Sequence, residues 1–130
     1  MKNYVVSLGM ARELKDAGFP QETNFYWIKK LEWDWELDNK NRVSLLKESG
    51  WDFEFVAAPI AEEILKELPH YIHDRNHRGY PFELWINKHN GDWNVGYETA
   101  KGFPLKSVRA KTLAEASAKM YLYLKEEKLI

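Results

Sequence analysis

Phe82-Glu83-Leu84-Trp85-Ile86-Asn87-Lys88-His89, then Asn90-Gly91, then Asp92-Trp93-Asn94-Val95-Gly96-Tyr97-Glu98 spells out a β-hairpin. Asn-Gly accepts the positive φ angles of a type I′ turn, whose twist matches that of paired strands. A two-residue loop fixes the pairs: Lys88 faces Trp93, Ile86 faces Val95 and Leu84 faces Tyr97. Side chains alternate along a strand, so Leu84, Ile86, Trp93, Val95 and Tyr97 share an apolar side. Glu83, Asn87, His89, Asp92, Asn94 and Glu98 share the polar side. A slip of one residue would scramble that division. Trp85 falls opposite Gly96, where an indole can cover bare backbone; the other fate for that Trp is an exposed contact.

The apolar side needs a helix, and Thr112 onward supplies it. Thr112 is the N-cap, and Glu115 at the third helical position completes a capping box. Leu113, Ala116, Ser117, Met120 and Leu124 recur at helical spacing, whereas Leu122 falls on the opposite side. Leu105 to Arg109 reads as a last edge strand after the break at Gly102-Phe103-Pro104.

Towards the N-terminus, Ser7 caps a helix from Leu8 to about Ala17, ended by Gly18, Phe19 and Pro20. From Phe25 to Leu37 apolar and polar residues alternate with period two, which predicts one long antiparallel strand. Asp38 to Asn41 reads as a turn, Arg42 to Lys47 as a returning strand, and Trp51, Phe53 and Phe55 as a third. Pro59 opens a helix to Leu68, and His70 to Pro81 is a polar loop long enough to carry function. The expected fold is a single α+β domain over residues 1–130: a twisted antiparallel sheet of five or six strands, with three helices packed mainly on one face.

With 130 residues, one domain buries about two-thirds of its unfolded surface. Nineteen basic against twenty acidic residues leave a formal charge of −1, which selects for neither nucleic acid nor membrane. The chain has no Cys, so disulfides, thiolate metal sites and Cys nucleophiles are excluded, as fits a reducing cytoplasm. No apolar run approaches the ~18 residues of a membrane span. Aromatics at 15%, with six Trp, are the one unusual feature, since such residues fill both cores and interfaces.

Ala11-Arg12-Glu13-Leu14-Lys15-Asp16-Ala17-Gly18-Phe19-Pro20-Gln21, then Phe25-Tyr26-Trp27, then Ala57-Ala58-Pro59 with Ala61-Glu62-Glu63-Ile64-Leu65 and Leu68-Pro69 resemble small phage and prophage proteins of unknown function. Leu113-Ala114-Glu115-Ala116 through Met120, Leu122, Leu124 and Leu129-Ile130 fit the same resemblance. It implies a phage-borne accessory protein in a bacterial cytoplasm, and no activity. Residues 82–130 alone, a hairpin, a strand and a helix opening at Thr112-Leu113-Ala114-Glu115-Ala116, are similar to HicB-type antitoxin domains. Likeness at that level carries no function.

Four constellations carry candidate chemistry. His70, His73, Asp74 and His77 hold three of the four His and could ligate a divalent metal, though their spacing matches no named zinc motif. Glu32, Asp34 and Glu36 would project from one strand face about 7 Å apart, a pattern read either as an acid–base pair or as a solvated face. Lys101, Lys106, Arg109 and Lys111 lie in a window without acids, with Arg75 and Arg78 in the preceding loop. They suit single-stranded nucleic acid, or a guarded sheet edge. Trp33, Trp35, Trp85 and Leu122 are the candidate interface residues. No nucleophile elbow, P-loop or dinucleotide fingerprint occurs. The expectation is a cytoplasmic, non-catalytic protein-binding module without a cofactor, whose partner is a phage or host protein or a second copy. The alternative is a nucleic-acid binder using the 101–111 window, and third comes a metal-binding protein or enzyme using the His loop.

Overall fold

The computed structural model of the chain describes residues 4–73 and 79–130. Among them, in order, are α1 (Leu8–Asp16), β1 (Phe25–Lys30), β2 (Glu36–Asn39), α2 (Lys40–Ser49), β3 (Phe53–Ala57), α3 (Ala61–Leu65), β4 (Tyr71–Ile72), β5 (Phe82–His89), β6 (Asp92–Glu98), β7 (Pro104–Ala110) and α4 (Leu113–Glu126). The strands form two antiparallel sheets, β2-β1-β3 and β4-β5-β6-β7. The fold is therefore mixed helix and strand, but the single sheet of five or six strands is corrected to two, and the three helices to four.

The hairpin β5–β6 has the register its sequence dictates, with Leu84 against Tyr97, Ile86 against Val95 and Lys88 against Trp93. Asn90 and Gly91 both take positive φ, at 51° and 81°, as a type I′ turn requires. Helix α4 lies across β6 and β7 and seals Val95 and Tyr97 completely. Ile86 is an exception on the apolar side, being 40% exposed. Among the described residues strand β4 pairs only with Phe82 and Glu83, so further along β5 is an outer strand, while α4 packs chiefly over β6 and β7.

Helix α4 is also flanked by α1 and α3, so it is enclosed on more than one side. Ala114, Ala116, Ala118, Met120, Tyr121 and Leu124 are all buried, and Leu122 is half-buried against the same core rather than outside. Thr112 caps this helix by accepting from the Glu115 N–H at 3.1 Å. Glu115 does not complete a local capping box; its carboxylate accepts from the backbone N–H of Ser7 at 2.6 Å, tying the start of α1 to the start of α4. Glu63 does a similar job, accepting from Ile60 N–H at 3.0 Å and from Asn24 N–H at 3.1 Å.

Ser117, on the enclosed part of α4, has a hydroxyl with no hydrogen-bond partner among the described residues. An unpaired buried hydroxyl costs stability, and Ala is the better helix former. Ser117→Ala is expected to stabilise the fold by about 1 kcal/mol, read as a higher midpoint in urea; a lower midpoint would mean the hydroxyl is satisfied.

The smaller sheet has a helix on each face. Trp27, Trp35 and Val56 pack into the main core with Ala11 and Leu14 of α1. Tyr26, Ile28 and Ala57 pack on Val43 and Leu46 of α2. The layers run α2, small sheet, the helices α1, α3 and α4, and large sheet, whose far face is polar.

Candidate interaction surfaces

One end of the small sheet is apolar and open. Strand β1 finishes at Lys30, opposite Phe53 of β3, and the chain turns back with Trp33 N–H donating to the Lys30 carbonyl at 2.8 Å. Leu31 adopts a φ of 42° to make that turn, a conformation that costs about 1 kcal/mol or more for a residue with a Cβ. Leu31 and Trp33 are 64% and 65% exposed, and Trp51, just before β3 at the same end, is 58% exposed. The Lys30 ammonium stands 5.9 Å from the Trp33 ring. Each of the three leaves more than half of a large apolar side chain exposed at this end of the sheet, and exposed aromatics of this kind commonly mark a contact site.

The other candidate interface residues are occupied. Trp35 is half-buried, with the Arg12 guanidinium 5.0 Å over its ring. Trp85 lies over Gly96, its Cζ2, Cε2 and Nε1 filling the space that a Cβ at that position would take. Leu31 and Trp51 were absent from the expected interface. The alternating pattern around Leu31 hides the turn, whereas Trp51 stands between Gly50 and Asp52 after a helix end, a position from which burial is difficult.

The turn at Leu31 also separates the three carboxylates. Glu32 and Asp34 fall in the connection and Glu36 alone in β2. The cleft shared by Asp34, Glu36, Lys30 and Arg42 encloses about 10 Å3, room for one water rather than a substrate.

The basic window is divided. Lys106 is opposite Tyr97 and so on the α4 side, its ammonium 5.2 Å from the Tyr123 ring, while Arg109 is opposite Asn94 on the outer face. Arg109 Nε and Lys111 Nζ stand 3.7 and 2.8 Å from the carboxylate of Asp92. The Lys111 hydrogen bond, aided by both positive charges and opposed by desolvation, holds the Asp92 carboxyl below its ordinary range. Lys101 rests 5.6 Å from the Tyr80 ring. Glu83 and Glu98 share the outer face with Arg109, so phosphates approaching it meet carboxylates. Strand β7 is a sheet edge, where charged side chains discourage pairing with another sheet. Arg75 and Arg78 lie outside the described residues.

Of the metal candidates, Asp74 and His77 likewise lie outside the described residues. His70 is surface-exposed, with Nε2 4.0 Å from Glu83 Oε1 and its ring edge-on to Tyr71. His73 is exposed. Among the described residues no three His, Cys, Asp or Glu side chains converge as a metal site would require, and no helix is long and apolar enough to cross a membrane. No family model, no curated protein and no solved structure matches the chain.

Proposed function

We propose that this chain is a non-catalytic protein-binding module whose contact surface is the apolar end formed by Leu31, Trp33 and Trp51. The observation that carries this reading is the exposure of two indoles and a leucine at positive φ at one end of the small sheet. Partly desolvated Trp residues are the groups that most often dominate an interface. A residue held at positive φ without being Gly also persists only where something favours it. By the resemblance to phage and prophage proteins, the setting is the bacterial cytoplasm and the partner a phage or host protein. Binding of nucleic acid through residues 101–111 is the weaker reading, because Asp92 already engages two of its four cations.

The test is site-specific photo-crosslinking with a benzophenone amino acid placed at position 33, at position 51 and, as control, at position 119. Positions 33 and 51 are expected to trap the same protein and position 119 to miss it. With that partner purified, Trp33→Ala and Trp51→Ala should each weaken binding about 30-fold, near 2 kcal/mol, while the melting temperature stays within a degree or two. Equal adducts from all three positions, or undiminished affinity in both variants, would sink the reading.

A further inference from the structure

Strand β3 is an outer strand of the small sheet, and its hydrogen-bonding pattern shows which groups are left over. The Ala58 N–H donates to the Phe25 carbonyl, so in this antiparallel pairing residues 54, 56 and 58 direct their backbone groups at β1. Residues 53, 55 and 57 direct theirs away from the sheet. The Ala57 N–H is met by the side-chain oxygen of Gln21 at 2.9 Å, and the Gln21 amide is itself anchored on the Phe19 carbonyl at 3.0 Å. Gln21 thus makes the first rung of an added strand and stops there. The outward N–H and C=O groups of Phe53 and Phe55 have no partner among the described residues. Beside them runs an open groove of about 500 Å3 between β3 and α1, floored by Trp35 and Val56.

Resting on the protein-binding reading above, we infer that the β3 edge at Phe53–Phe55 takes an extended segment of the partner as a fourth strand, with a basic side chain opposite Glu54 and apolar side chains on either side of it. Backbone groups on such an edge supply affinity to any extended chain, and alternate side chains supply the choice among them. The residue opposite Glu54 shares its face and points into the groove, which Arg12, Lys15 and Asp16 also line; Glu54 itself carries no ion pair among the described residues, and an opposite charge directly across a strand pair is stabilising. The residues opposite Phe53 and Phe55 point to the other face, beside two aromatic rings stacked at 5.4 Å. A second copy of the chain does not fit. Antiparallel self-pairing through Phe53 and Phe55 sets Glu54 against either Glu54 or Asp52 of that copy, and like charges directly opposite are destabilising. The remaining register, centred on Phe55, needs the Ala57 N–H that Gln21 already holds.

A library of random dodecapeptides displayed on a surface and selected on the full chain tests this. Enriched peptides should share an apolar-basic-apolar triplet of β-formers. In the free protein the Phe53 and Phe55 amides should exchange hydrogen at least tenfold faster than those of Glu54 and Val56, and a selected peptide should slow them at least tenfold. Proline keeps the fold where a strand N–H faces outward, so Phe53→Pro should lose at least tenfold in peptide affinity. Glu54→Lys, a surface change that leaves folding intact, should exchange the basic preference for an acidic one. No enriched triplet, unchanged exchange at Phe53 and Phe55, or undiminished binding to a folded Phe53→Pro would each overturn the inference. If crosslinks from positions 33 and 51 still trap one partner in that case, only the strand-addition mode has failed. If they trap none, the protein-binding reading has failed with it.

Discussion

Replacing Tyr97 by Ala is expected to lower the unfolding free energy by about 4 kcal/mol, a large part of what holds a small domain together. Tyr97 sits on the central strand β6 with no exposed surface, beneath α4. Its hydroxyl donates to the Pro69 carbonyl at 2.6 Å, so the ring packs in the core while its tip fastens the segment leading from α3 into β4. Tyr97→Phe keeps the ring and removes only that bond, leaving the carbonyl unpaired, at a cost of about 1–2 kcal/mol. The two variants therefore divide packing from hydrogen bonding. They also differ with pH. Burial pushes the Tyr97 phenol well above the ordinary 10.0. A folded-state pKa raised above the unfolded one gives stability that is complete below pH 10 and lost as pH climbs towards the folded value, because only the unfolded chain releases its proton. Tyr121, raised by burial and then by the Glu67 charge, contributes in the same direction. Urea titrations at pH 7 and pH 10.5 should therefore show a smaller alkaline loss in Tyr97→Phe than in the parent, with part remaining. An identical loss in both would remove Tyr97 as a source.

The hairpin was legible because its register depends on neighbours in sequence: Asn90-Gly91 fixes the turn and every pair follows. The ends of α1 were legible for the same reason, since Ser7, Gly18 and Pro20 act locally; Ser7 accepts from the Met10 N–H at 3.2 Å and Gly18 takes a φ of 90°. The middle of the chain misled because its decisive residues do not look like punctuation. Alternation runs unbroken through Leu31 to Trp35 although the strand stops at Lys30. The turn there uses a positive φ at a leucine, which no propensity favours. Once that turn is placed, Asn39 becomes an N-cap, accepting from the N–H groups of Asn41 and Arg42, and Arg42 to Lys47 becomes helix rather than returning strand. Val43 and Leu46, three apart and both buried, are the helical signal, and Gly50 at a φ of 71° is its stop. With a helix in place of a strand, the long sheet divides into two. The contact surface was half legible: composition flagged surplus indoles, but which remain exposed depends on the far face of the small sheet being covered by α2. The role of Glu115 was illegible, because its acceptor reaches a residue 108 positions away.

Gly96→Ala is expected to cost about 2 kcal/mol, and the same substitution in a Trp85→Ala background to cost nothing or to stabilise slightly. Gly96 is in ordinary extended backbone, opposite Trp85 in β5 and Ser107 in β7, so a methyl group meets no conformational obstacle. What it meets is the indole: a Cβ at Gly96 would overlap Trp85 Cζ2 and stand 2.8 Å from Nε1. Either the ring swings into solvent or the strands part. Once the ring is gone, Ala is better than Gly in a strand because it restricts the unfolded chain more. The sign of the effect should therefore reverse between the two backgrounds, giving a coupling of about 2–3 kcal/mol in the double-mutant cycle. The result also bears on function. Strong coupling means that Trp85 is held down as a cover for the sheet backbone and is not a free contact on the polar face, leaving Trp33 and Trp51 as the indoles available to a partner. A cycle showing no coupling would release Trp85 from Gly96 and return the outer face of the large sheet to the candidate binding surfaces.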